Sequence, residues 1–217
     1  MKHASSMSAM TTGKVAVVAA IATTGLAVTG VGVYASLNAT ASNGTPQAAS
    51  SGTLKLEMAA NGTGFGTAVS NLAPGDVINR HIQLTNSGTL EGSALTLGVT
   101  DAATTPSALS TDATKGLRAA VARCSVAWTA STGACGGVTT SLLASTAVSA
   151  LRTTPSSVVA GALTAGEILH LQVKITLPDS AETTVNGVLP AGTIQGLTAQ
   201  LTWNFNEVQR TATTTSS

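Results

Sequence analysis

Residues 167–177, EILHLQVKITL, set Leu169, Leu171, Val173, Ile175 and Leu177 on one side of an extended chain and Ile168, His170, Gln172 and Lys174 on the other. Successive side chains of a strand point to opposite faces, so a run like this buries one face and wets the other. A helix would scatter the same apolar residues around its circumference. The alternation recurs along the chain. Leu54, Leu56 and Met58 alternate with Lys55 and Glu57. Ile78, Ile82 and Leu84 share a face that Arg80 interrupts, and Leu95, Leu97 and Val99 share another. Cys124, Val126 and Trp128 align, as do Leu197, Ala199, Leu201, Trp203 and Phe205. Short strands separated by Gly, Pro, Asn and Ser clusters predict an all-β chain folded as a single antiparallel sandwich. Two stretches, 113–120 (ATKGLRAA) and 140–151 (TSLLASTAVSAL), read as short helices in the connections. Gly133–Gly137 reads as a flexible linker and 211–217 as a disordered tail.

One internal echo stands out. NLAPGDVINRHIQLT (71–85) parallels ALTAGEILHLQVKIT (162–176), matching Leu72, Gly75 and Asp76 to Leu163, Gly166 and Glu167. Each copy reads as a glycine turn that launches a long strand, with the acid free to bond turn amides. The flanks do not match, so a duplicated domain is not expected.

Charge is sparse and unevenly placed. Charged residues are 9% of the chain, against about 25% in ordinary soluble proteins. Residues 1–14 carry Lys2 and Lys14 and no acid, and 15–34 (VAVVAAIATTGLAVTGVGVY) carry no charge. A basic start, an apolar run and small residues at Val33 and Ala35 form an export signal cut between Ala35 and Ser36. The rival is an uncleaved anchor, since about 20 apolar residues can span a bilayer. Three glycines and three threonines within the run, with the small-residue site, weaken that rival. The reading divides the chain into 1–35 signal peptide, 36–50 mature N-terminal segment, 51–210 sandwich domain and 211–217 tail. A signal peptidase is then the partner during export, and no membrane partner is expected after cleavage. With a net charge of +1 and no basic patch, nucleic acid is not an expected partner.

Cys124 and Cys135 are the only cysteines. In an oxidising compartment an isolated even pair defaults to a disulfide. Two thiolates alone make half a zinc site, which is the weaker reading. No HExxH, no G-x-S-x-G and no phosphate-cradling glycine loop occurs. His81 and His170 fall on separate strands and read as solvent-facing residues, and Asp179 and Glu182 as solvated loop acids. No catalytic residue, metal ligand or cofactor is assigned.

The order of four motifs resembles the TasA/camelysin family of exported bacterial proteins, whose members share a SipW-type signal peptide. They are GVGVYASLNATA at the end of the apolar run, SGTLKLEM (51–58), NLAPGDVINRHIQLTNSGTLEG (71–92), and the closing IQGLTAQLTWNFNEVQ (194–209). The third carries the turn-strand motif Leu72, Pro74, Gly75 and Asp76. The resemblance implies a jelly-roll β-sandwich at the cell surface or in the extracellular biofilm matrix. It also implies fibres in which the mature N-terminus of one subunit completes the sheet of the next, either in a homo-oligomer or with a related fibre subunit. Leu37, Ala39 and Ala41 alternate with Ser36, Asn38 and Thr40, the pattern of a strand that adds to an open sheet edge. The alternatives are a camelysin-like surface metallo-endopeptidase and a monomeric accessory or anchor subunit of a fibre.

Overall fold

A computed structural model describes residues 50–214 except 63, 68, 70, 181 and 183. Val33, Ala35, Ser36, Leu37, Ala39 and Ala41, and with them the signal-cleavage and donor-strand expectations, lie outside the described residues. Eight strands follow in order: β1 (Leu56–Ala60), β2 (Val77–Asn86), β3 (Gly92–Asp101), β4 (Arg118–Cys124), β5 (Thr139–Ala147), β6 (Ser156–Val159), β7 (Ile168–Thr176) and β8 (Leu201–Gln209). Two short helices, α1 (Ala108–Thr111) and α2 (Val148–Thr153), lie in the connections. The strands form a five-stranded sheet, β1-β2-β7-β4-β5, and a three-stranded sheet, β6-β3-β8. All pairings are antiparallel. The fold is therefore the all-β sandwich that the alternation implies. Most connections pass from one sheet to the other; only β1 to β2 and β4 to β5 stay within a sheet.

Register explains which side chains reach the core. In the β2–β7 pair, Ile78 faces Ile175, Ile82 faces Leu171 and Leu84 faces Leu169. Directly opposed residues of an antiparallel pair share a face, so these side chains form one inner row. Leu95, Leu97 and Val99 of β3 supply the opposing wall, and all belong to one continuous apolar core.

The echoed segments turn out to be symmetric fittings of the β2–β7 pair. Gly75 (φ 90°) and Gly166 (φ 80°) both take the left-handed conformation that glycine tolerates. Asp76 Oδ2 accepts from the Ala73 amide at 2.7 Å, and Glu167 Oε2 from the Thr164 amide at 3.1 Å. The Gly75 amide donates to Leu177 O just beyond β7, and the Gly166 amide to Asn86 O at the end of β2. Each turn thus starts one strand and caps the end of its neighbour.

Three local expectations change. Residues 118–120 are strand β4 rather than helix, and 139–147 are strand β5, with helix only from Val148. The Gly133–Gly137 segment is held in place, because a disulfide joins Cys124 to Cys135 and Trp128 bridges to Cys135. Val126 is exposed rather than inward, since the chain leaves β4 at Cys124.

Candidate functional site

The two sheets differ by two strands, and the difference falls on one side. At one lateral edge α2 crosses between β5 and β6, burying Val148 and Leu151. At the other edge β1 and β8 face each other across a seam. Among the described residues β8 pairs with β3 alone, so its outer row of backbone N–H and C=O groups has no strand partner. Such an edge is a template for another strand.

The inner face of β8 follows from its pairing. Phe205 opposes Leu97, Trp203 opposes Val99 and Glu207 opposes Leu95, so Leu201, Trp203, Phe205 and Glu207 all point into the sandwich. Leu201 and Phe205 are only half-buried. A cleft beside Leu84 is bordered by Leu56 and Met58 of β1 and Trp203 to Asn206 of β8. Met58, placed on the inner face by its alternation, is 52% exposed because little among the described residues covers that face of β1. Beyond Ala60 the chain departs from β2, and the connecting loop lays Phe65 flat on Trp203, ring centroids 5.4 Å apart. Below it the seam opens into a cavity of about 520 Å³ lined by residues of both sheets and of the 177–200 connection.

Polar groups sit at both ends of this seam. Arg80, which interrupts the alternation of β2, points inward and is 7% exposed. Its Nη2 donates to the Thr67 carbonyl at 2.7 Å, and among the described residues it makes no ion pair. Glu207 stands at the opposite end of β8 with both carboxylate oxygens buried and without partners among the described residues. Burial pushes its carboxyl above the ordinary value. Gly92 makes room for it, since a Cβ there would overlap the Glu207 carboxylate.

Loops brace the seam. Glu182 is not a solvated acid: it accepts hydrogen bonds from Thr193 Oγ1 and the Ile194 amide and pairs with Lys115 at 3.6 Å. The Thr193 bond leads in holding its carboxyl below the ordinary value. The effect is to pin Ile194 in the cavity wall. Asn86 is fully buried, its amide donating to the Leu90 and Leu163 carbonyls while its oxygen accepts from Gly88. Thr89 and Leu90 donate to Thr53 O, and Thr89 Oγ1 accepts from Thr53. The SGTL and NSGTL motifs therefore pack on each other just ahead of β1.

His81 and His170 lie on the outer face of the larger sheet. His81 is 7% exposed rather than solvent-facing. Its ring rests against Trp128 at 5.2 Å, and its Nε2 meets Gln172 Nε2 at 3.0 Å. Burial holds its pKa below the ordinary value. Trp128 Nε1 donates to the His170 carbonyl, and His170 Nδ1 is buried without a partner among the described residues. The disulfide loop thus forms a lid on this face.

A family model described as camelysin metallo-endopeptidase matches residues 11–118, about half of the chain. No curated protein matches. A solved structure described as "AvmM Catalyzes Macrocyclization in Alchivemycin A Biosynthesis" is similar at 12% identity with a TM-score of 0.30, over 74% of this chain and 91% of that one. So low a score bears on neither fold nor activity. The family description implies a metal ion, and the described residues do not fit one: no three His, Cys, Asp or Glu side chains converge. A catalytic zinc takes three protein ligands; His81 and His170 are two, and His81 is engaged by Gln172 and Trp128.

Proposed function

Because the chain belongs to the TasA/camelysin family, whose members are extracellular or surface-associated, we propose that it is a secreted structural protein that assembles by strand addition at the seam. The carrying observation is the outer edge of β8, unpaired among the described residues, in a sheet two strands narrower than its partner. A strand laid there would be the fourth of the smaller sheet and would cover the half-buried Leu201 and Phe205. The donor is the segment Leu37–Ala41 of another copy, with its alternating Leu37, Ala39 and Ala41. Five backbone hydrogen bonds would each contribute about 1 kcal/mol, and burying Leu37 about 2 kcal/mol. Association costs about 4–15 kcal/mol, so covering the β8 face and high local concentration supply the rest.

Electron microscopy of protein beginning at Ser36, beside protein lacking 36–49, tests the reading. Filaments are expected from the first and monomer from the second. Equal monomer in both would overturn assembly, and equal filaments in both would overturn the N-terminal donor.

A further inference from the structure

The strand-addition reading explains the edge of β8 but leaves Arg80 without a role. A guanidinium carries five N–H donors in a rigid fork. Here one of its nitrogens bonds a single loop carbonyl, no carboxylate pairs with it among the described residues, and the side chain is more than nine-tenths buried. Unpaired charges are costly inside proteins unless something compensates them. Around this cation the cavity is of mixed character, with apolar walls from Phe65, Ile78, Leu117, Ile175, Leu177 and Trp203 and polar groups at Thr67, Asn71 and Thr198. Its volume of about 520 Å³ falls within the roughly 300–1,000 Å³ of small-molecule sites, which combine apolar walls with a few placed polar groups. The segment 36–50 carries no charged residue, so the strand donor brings no anion to Arg80.

We propose that the deep part of the seam binds an alkyl carboxylate, a fatty acid of medium chain length, with its head group on the free donors of Arg80 and its chain between the sheets. A carboxylate matches the guanidinium fork two-on-two, and the apolar walls take the methylenes. The site lies between the sheets, inward of the β8 edge, and does not depend on that edge receiving a strand.

Calorimetric titration of the full chain in detergent-free buffer with sodium octanoate, sodium decanoate and 1-decanol is the test. Decanoate is expected to bind about tenfold more tightly than octanoate, from two added methylenes. Decanol is expected to bind at least about tenfold more weakly than decanoate, because it lacks the charge-assisted bonds. Arg80→Gln should abolish the preference for decanoate over decanol, while Arg80→Lys keeps part of it. The near-ultraviolet dichroism of Trp203 and Trp128 checks that each variant stays folded. Equal binding of decanoate and decanol by the unmodified chain would overturn the role of Arg80 even if the variants fail to fold. No binding of any of the three would overturn the site itself. Neither result bears on filaments from the Ser36 form, so this proposal and the assembly reading fail separately.

Discussion

The two lateral edges of the sandwich are finished by opposite means. At the β5/β6 edge the chain crosses between sheets through α2, and Val148 and Leu151 fill the space with 0% and 1% exposure. At the β1/β8 edge no strand or helix crosses among the described residues, and the gap is roofed by one aromatic stack, Phe65 on Trp203. Interiors are close-packed, and the energetic weight of a side chain follows how completely its neighbours surround it. Among the described residues the core closes at one edge and stays incomplete at the other, in apolar residues and in backbone partners alike.

The largest expected effect comes from breaking the closed edge. Leu151→Ala should cost about 2–5 kcal/mol, since a surrounded leucine leaves a cavity that its neighbours cannot refill. Phe65→Ala at the open edge should cost far less, about 1 kcal/mol, because its ring packs on one aromatic and is half-exposed. Urea unfolding of both variants measures the difference directly. Equal losses would show that the open edge is as well packed as the closed one.

Next in size is the disulfide. Cys124 and Cys135 are 11 residues apart, and opening so short a loop should cost about 2–3 kcal/mol on the chain-entropy account. The paired Cys124→Ser, Cys135→Ser variant should melt lower than the unmodified chain and release Trp128 to solvent, with a red-shifted emission. The clasp lies on the outer face of the larger sheet, away from the seam, so filaments from the Ser36 form should persist. Their loss would tie the two regions together and end the comparison.

How much of this was legible in the sequence depended on whether period two survived locally. β3 and β7 are legible because unbroken alternation places Leu95, Leu97, Leu169, Leu171 and Val173 on buried faces, and β2 because Arg80 alone interrupts its apolar row. Residues 140–151 read as helix in sequence because the β4–β5 ladder shifts register twice, between Ala119 and Val121 and between Val121 and Ala122. A bulge adds a residue and slips the apolar phase, so Leu142 and Leu143 stand side by side. The glycines at 133, 136 and 137 suggest freedom that a covalent link removes. At the seam the pattern is harder to read: Arg80 looks like a flaw in an apolar row, and Glu207 ends one. Glu207 continues the period-two row of Leu201, Trp203 and Phe205, and its pairing with Leu95 sets it on the inner face.

The smallest expected effect tests that inward carboxyl. Burial raises the folded-state pKa of Glu207 above its ordinary value, so the folded chain holds this proton more tightly than the unfolded one. The associated stability is fully present below the unfolded carboxylate pKa and is lost as pH rises through the raised folded value. Glu207→Gln removes the ionisation while keeping the side chain's shape. It should therefore match the unmodified chain near pH 4 and exceed it at pH 7, by about 1 kcal/mol or less for a partly buried group. Urea midpoints at the two pH values check this, and a gap of the same size at both would show that the carboxyl is not desolvated. Strand addition sharpens the same test. If a donor covers the β8 edge, water is excluded further from Glu207, and assembly of the unmodified Ser36 form should be favoured at pH 4 over pH 7. The Glu207→Gln form should assemble with little dependence on pH across that range.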